Sequence, residues 1–218
     1  ELLAKALRPL PEKWHGLQDV EMRSRRRYLD LMVNEHARRV ALTRARIVSE
    51  LRRQFEARGY VEVETPVLLS QSTGALARPF ATHHNALEQD MYLRIATELF
   101  LKRLVVGGME RVFEIGRIFR NEGIDSTHNP EFTMLEFYMA YATYEDLMAL
   151  NEELFIEVLD RNCGGSIIKY QGETIDFTSP WSRITFFDAL SDMGGVTEAV
   201  LDDRKSAADF AIECQLSP

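Results

Sequence analysis

The sequence predicts an α+β fold, in which helices are mixed with strands joined mostly by hairpins. Three observations carry this expectation. Apolar residues recur at helical spacing in several separate stretches. The short strand-like runs between them are bounded by Gly, Pro and Asn, as hairpin-connected strands are. No internal repeat or low-complexity tract interrupts the pattern. With 218 residues there is room for one sizeable domain, and 45% hydrophobic with 28% charged residues fits a folded globular chain rather than a disordered one.

Taken in order, residues 1–20 contain Pro9, Pro11 and Gly16 and read as a connector with a short strand at its start. A helix follows from about Arg38, with Ile47, Val48, Leu51 and Phe55 on one stripe. Gly59 is placed to end it, because glycine accepts the left-handed conformation there. Val61 to Glu64 alternates as a strand and stops at Thr65-Pro66. Residues 70–90, with Ser72, Thr73, Gly74 and Pro79, read as loop, and Tyr92 to Ile95 as a short strand. Thr97 is placed to cap a helix through Leu101, Leu104 and Val105, ended by Gly107-Gly108. Arg111 to Phe119 reads as a strand, Asn121 to Pro130 as a polar loop, and Phe132 to Tyr141 as the clearest strand. Thr143 and Asp146 form a capping-box pattern before a helix through Leu147, Leu150, Leu154 and Val158, closed by Gly164-Gly165. Ile167–Tyr170 and Thr174–Phe177 read as a hairpin around Gln171-Gly172, and the remainder as helical.

The net charge of −8 argues against a protein that simply coats nucleic acid. Arginine is nevertheless dense between Arg23 and Arg58, which reads either as a salt-bridged surface or as a contact for RNA phosphates. Cys163 and Cys214 form no metal or redox spacing and fit a reducing compartment. No apolar run approaches the roughly 18–20 residues that cross a bilayer. Glu1-Leu2-Leu3 has neither an initiator Met nor a signal design, so the expectation is a segment of a longer cytoplasmic protein.

The chemistry concentrates in FRNEGIDSTHNPEFTMLEFYMAY, from Phe119 to Tyr141. Strand alternation sends Leu135, Phe137, Met139 and Tyr141 to one face, plainly core, and Phe132, Met134, Glu136 and Tyr138 to the other. The second face is either the floor of a site or the wet side of a sheet. The preceding loop gathers Arg120, Glu122, Asp125, His128, Asn129 and Glu131, a set suited to a polyanionic nucleotide and a carboxylate substrate.

An Arg two residues before a Glu, a loop, then a Phe on the following strand resembles motif 2 of the class II aminoacyl-tRNA synthetases. GYVEVETP, from Gly59 to Pro66 after a long helix, is similar to their motif 1. RYLDL (Arg27 to Leu31), ARPFATHHN (Ala77 to Asn85), YLRIATELFLKRLVVGG (Tyr92 to Gly108) and HNPEFT (His128 to Thr133) look like the lysine-specific branch. The resemblance implies an antiparallel sheet flanked by helices, incomplete in these residues. Residues 1–20 would be the end of an anticodon-binding barrel and its linker, and 21–218 the N-terminal part of the catalytic domain.

The implied activity is ATP-dependent activation of L-lysine as lysyl-adenylate, followed by transfer to tRNA(Lys). Arg120 would bind the α-phosphate and the amino-acid carboxylate. Glu122 would hold the adenine amino group, Phe132 would stack on the ring, and His128 with Asn129 would serve the ATP site. Gly74 and Glu98 would receive the α-amino group, and Glu136 and Tyr138 the ε-ammonium. An acid and a phenol at that position favour lysine over the neutral or acidic side chains of the aspartyl and asparaginyl relatives. The resemblance also implies Mg2+ with ATP, a homodimer formed through motif 1, and no membrane.

Nothing after Ala142 resembles the family's glycine-rich motif 3, where the magnesium ligands are expected. These residues alone are therefore expected to be inactive in charging tRNA. A lysine-to-protein paralogue, a membrane-linked lysyltransferase and a non-catalytic RNA-binding relative are the competing classes. The barrel-like ELLAKALRPLP speaks against the first of these.

Overall fold

The computed structural model describes residues 17–125 and 127–214, together with Ala4. The connector and strand expected within residues 1–16 lie outside the described residues. Two compact units are present, Glu1–Asp176 and Phe177–Pro218.

The first unit opens with two short helices that the sequence did not announce, α1 (Val20–Arg25) and α2 (Arg27–Val33). Asp19 caps α1 by accepting from the Met22 amide at 2.7 Å. Asp30 of α2 is fully buried and takes Arg23 Nε and Arg27 Nη1, each at 2.9 Å. Burial opposes ionisation of Asp30, but Arg23, Asn34 and Arg27 together hold its carboxyl below the usual range. Arg25 pairs with Glu21. In RSRRRY, then, Arg23, Arg25 and Arg27 are engaged within the chain, which favours the salt-bridged reading there.

The long helix α3 (Glu35–Ala57) begins on an Asn34 cap and ends where Gly59 turns at φ +78°. Of its arginines, Arg52 holds Glu62 and Arg53 holds Glu50, while Arg58, at its C-cap, holds Glu153 and Glu157. The strand β1 (Val61–Glu62) follows, then β2 (Leu68–Leu69), β3 (Ala81–His84) and β4 (Gln89–Leu93). Residues 70–90 are thus not all loop, because β3 and β4 form an antiparallel hairpin with Ala81 opposite Tyr92. After α4 (Glu98–Val106) come β5 (Arg111–Phe119), β6 (Glu131–Met139), α5 (Tyr144–Cys163), β7 (Ile167–Tyr170) and β8 (Glu173–Asp176). Thr143 and Asp146 make the expected capping box on α5.

The central sheet has the order β1-β5-β6, and a second sheet has the order β2-β4-β3. β5 and β6 are antiparallel, but β1 runs parallel to β5, with Val61 opposite Val112. The sheet is therefore mixed at one edge, within an expectation of strands joined mostly by hairpins. The β1–β5 connection passes through β2, β3, β4 and α4, long enough for a parallel return.

One face of β5 and β6 packs against α3 and α5. Phe55, Tyr60, Phe113 and Leu154 form its buried centre, with Ile115, Leu135, Phe137 and Met139 against it. The Phe55 ring lies 4.9 Å from both Phe113 and Phe137, distances at which aromatic pairs attract beyond their area. Leu135, Phe137 and Met139 therefore lie on the predicted core face. Tyr141 does not: it sits past the strand at φ +60° and is 97% exposed. The strand ends at Met139, so the alternation no longer governs Tyr141.

Glu50 joins α3 to α5. It accepts from Arg53 and Gln54 on its own helix and forms an ion pair with Arg161 Nε of α5 at 3.1 Å. The Arg53 hydrogen bond, against the cost of burial and aided by Gln54, lowers the Glu50 carboxyl from 4.5 to about 2. A depressed carboxyl stabilises the fold fully above its unfolded value and loses that contribution as pH falls through its folded one. Glu50→Gln is expected to flatten the acid limb of the stability curve between pH 4.5 and about 2. Urea midpoints for both proteins across that window check this, and parallel curves would refute it.

The second unit carries α6 (Phe186–Gly194), α7 (Glu198–Asp202) and α8 (Arg204–Glu213), helical as expected. No helix among the described residues is long and apolar enough to cross a membrane.

Candidate active site

The face of β6 opposite the aromatic core carries Phe132, Met134, Glu136 and Tyr138, as alternation predicts. β5 sets Ile118, Gly116, Glu114 and Val112 directly opposite these four. Glu114 and Glu136 are therefore cross-strand neighbours on one face, an arrangement of like charges that is unfavourable unless compensated.

Arg94 compensates Glu114. Both are almost wholly buried, and the Arg94 guanidinium donates to Glu114 Oε1, to the Thr65 carbonyl at 3.1 Å and, through Nε, to the Arg117 carbonyl at 2.8 Å. Glu114 Oε2 takes the Thr65 hydroxyl at 2.6 Å and the Thr65 amide at 3.2 Å. The Thr65-Pro66 turn after β1 is thereby tied to the wall of the site. Gly116 leaves the space that the guanidinium fills: a Cβ there would lie 2.3 Å from Arg94 Nη2.

Glu136 is held differently. Its Oε2 accepts from Thr97 Oγ1 at 2.7 Å and from the Thr97 amide at 3.3 Å, while Oε1 accepts from the Tyr138 hydroxyl at 2.8 Å. Thr97 stands at the start of α4 as expected, but its side chain makes no cap hydrogen bond; the hydroxyl is turned to Glu136 instead. Burial first, then the Glu136 carboxylate that it faces, with Glu98 beyond, hold the Tyr138 phenol well above its ordinary value. Tyr138 is thus a donor to Glu136 at any physiological pH. A carboxylate offers about four lone-pair directions, and three donors leave room for a cation.

Glu98 opens α4 and is bonded by Lys102 one turn later, whose ammonium also stands 5.6 Å from the Tyr138 ring centroid. Gly74, at φ +94°, brings the 70–77 segment against this spot. A Cβ on it would meet Ala96 Cβ at 3.1 Å and Glu98 Cβ at 3.6 Å. Gly74, Glu98, Glu136 and Tyr138, far apart in sequence, are thus linked through Ala96, Thr97 and Lys102.

Arg120 follows β5. Its Nε reaches the Ile95 carbonyl at 3.4 Å, two residues before Thr97, and its guanidinium stacks 5.4 Å from the centroid of Phe132. In the β5–β6 loop, Asp125 Oδ1 takes the Thr127 and His128 amides and its Oδ2 faces His128 Nδ1 at 2.7 Å. Those bonds, from Thr127 first, hold the Asp125 carboxyl far below the usual range. His128, Glu122 and Asn129 stand exposed on this loop. The loop is anchored by Asn121 N to Arg78 O at 2.8 Å and Arg120 N to Pro130 O at 2.8 Å.

Sequence reasoning missed Thr97 as a partner of Glu136, and missed Lys102, Arg94 and Glu114 altogether. Among the described residues, no group of three or more His, Cys, Asp or Glu side chains is arranged to hold a metal ion. These residues do not by themselves fit a magnesium site.

Comparison with known proteins finds relatives over most of the chain. A family model described as tRNA synthetases class II (D, K and N) matches residues 19–214. The chain is 55% identical over 196 residues to the lysine–tRNA ligase of Clostridium tetani, covering 90% of the chain and 39% of that protein. It is 53% identical over 218 residues to that of Moorella thermoacetica, covering 98% of the chain and 45% of the relative. A lysine–tRNA ligase of Dehalococcoides mccartyi is 57% identical over 195 residues, 89% of the chain and 39% of the relative. The chain therefore spans less than half the length of these relatives. With a family match running from the cap of α1 to the end of α8 over this fold, the chain belongs to the class II tRNA synthetases of the D, K and N group.

Proposed function

We propose that the protein carrying this chain is a lysine–tRNA ligase, forming lysyl-adenylate from L-lysine and ATP and passing the lysyl group to tRNA(Lys). The observation that carries the reading is Glu136, held by Thr97 and Tyr138 with lone-pair capacity to spare. A buried ammonium requires a carboxylate and hydrogen bonds to offset its desolvation, and this pair supplies both to the ε-ammonium. Glu98, beside Gly74, takes the α-amino group. Arg120, whose backbone follows the strand and whose guanidinium rests on Phe132, takes the substrate carboxylate and the ATP α-phosphate.

The lysine carboxylate oxygen attacks the α-phosphorus and forms a P–O bond, while the P–O bond to the β-phosphate breaks and pyrophosphate leaves with its electron pair. No general base is needed, because the carboxylate is already the nucleophile. Arg120 stabilises the charge that grows on the phosphoryl oxygens. A terminal ribose hydroxyl of tRNA then attacks the lysyl carbonyl, the bond from that carbon to the phosphate oxygen breaks, and AMP departs, its phosphate taking up the hydroxyl proton. Glu122 recognises the adenine amino group, Phe132 stacks on the ring, and His128 with Asn129 meets the ATP phosphates; the Asp125–His128 contact supports that orientation. Magnesium accompanies ATP in this reading.

Dimerisation through α3 and the Thr65-Pro66 turn belongs to the same proposal. It is supported by the exposed apolar side chains Tyr28, Met32, Val40 and Leu42 on α2 and α3. The setting is the cytoplasm, where ATP and tRNA are found.

The test is amino-acid-dependent exchange of pyrophosphate into ATP, run on the complete protein with each of the standard amino acids. Exchange with lysine alone is the expected result. Exchange with aspartate or asparagine would overturn the pocket assignment while sparing the fold. Exchange with none would assign a non-catalytic role.

A further inference from the structure

Lys102 is a cation at the site that the reaction above leaves without a task. It follows Glu98 by one turn of α4, donates to Glu98 Oε1, and stands over the Tyr138 ring. A Glu–Lys pair at this spacing has an ordinary explanation, a solvated contact that lends a helix slight stability. Two features go beyond that. The approach to Tyr138 crosses from α4 to β6, so helix spacing does not produce it. The carboxylate engaged belongs to the residue whose Cβ lies against Gly74, a side chain only one-third exposed, while that of Lys102 is about half exposed.

A site that presents an acid to each ammonium group of lysine holds those acids without their counter-charges while it is empty. Glu114 has its own permanent guanidinium in Arg94, and Glu136 has three neutral donors. Glu98 has Lys102, whose four-carbon stem can swing into water at little cost.

We propose that Lys102 is a surrogate for the substrate's α-ammonium, holding Glu98 while the subsite is vacant and ceding it when L-lysine binds. This rests on the assignment of Glu98 to the α-amino group. Lys102 acts through Glu98 and is a positioning residue, and it makes the site an internally competed one. Lysine binds by exchanging one ammonium for another, so removing the competitor tightens binding.

The experiment uses Lys102→Met in the complete protein, which keeps the length of the stem and removes the charge. The expected result is a KM for lysine in pyrophosphate exchange about two- to fivefold lower, the range set by a half-exposed ion pair, with kcat changed less. Lys102→Arg, which retains a cation, is expected to stay near the wild-type KM. 6-Aminohexanoate has the ε-ammonium and carboxylate but no α-amino group. It should therefore inhibit wild type and Lys102→Met equally.

A KM that is unchanged or raised in Lys102→Met overturns the proposal. So does an equal shift for 6-aminohexanoate, or an Arg variant that behaves like Met. Glu98→Gln separates the two levels of the argument. If it leaves the KM for lysine unaltered, the α-amino assignment itself fails. If it raises the KM while Lys102→Met does not lower it, only the surrogate role fails.

Discussion

Glu136→Gln is expected to lower kcat/KM for lysine activation by roughly a hundred- to a thousandfold, with the fold intact. That is the scale of leaving a desolvated ammonium without its counter-charge. The substitution is nearly isosteric, so its effect is electrical and directional rather than steric. The wild-type carboxylate receives three donors, two from Thr97 and one from Tyr138. An amide nitrogen turned towards Thr97 would meet the Thr97 backbone N–H, and turned towards Tyr138 it would oblige the phenol to accept instead of donate. Pyrophosphate exchange at varied lysine concentration, with circular dichroism to check folding, makes the measurement. A variant within threefold of wild type would remove Glu136 from the pocket. Tyr138→Phe deletes one donor and keeps the charge, and should cost far less.

The largest effect on stability is expected from Glu114→Gln, about 3–5 kcal/mol, because it leaves the Arg94 guanidinium buried without its carboxylate. Gly116→Ala strikes the same pair from the other side. Its methyl group would stand 2.3 Å from Arg94 Nη2 and 3.0 Å from Glu114 Oε1, so the guanidinium must leave its place. Because the two substitutions damage one interaction, their costs should not add: the double variant should be less destabilised than the sum. Urea unfolding of the four proteins measures this. A Gly116→Ala protein with the wild-type midpoint, or strict additivity, would show that the pair does not anchor this part of the sheet.

Where local pattern dictates structure, the sequence was informative. β5 has the predicted bounds, the two faces of β6 divide as alternation requires through Met139, and the α5 cap and the β7–β8 hairpin stand where expected. The β3–β4 hairpin escaped because β3 is exposed along its whole length and Thr82, His83 and His84 give no apolar alternation to read. α1 and α2 lie in a charged run whose organising residue, Asp30, is a buried acid, and composition gives no sign of that. The site shows the same division. Glu136 and Tyr138 were legible because they share a strand face. Thr97 lies 39 residues from Glu136, and Arg94 lies 20 from Glu114, so only the fold brings these partners together. Thr97 was read by its local context, as a helix cap, and the long-range bond prevailed.

The side chain between Glu136 and Tyr138 is Phe137, on the far side of the strand, in contact with Phe55 and Tyr60. On the proposed assignment, both side chains that would meet the ammonium take their position from a ring on the opposite face of the strand. The consequence is evolutionary as well as mechanical. On that assignment, changes in the aromatic cluster are expected to alter selectivity, because a rotation of the strand that eases Phe137 moves the acid and the phenol together. A genetic screen for relaxed amino-acid choice should therefore recover Phe55, Tyr60 and Phe137 alongside the residues that line the pocket.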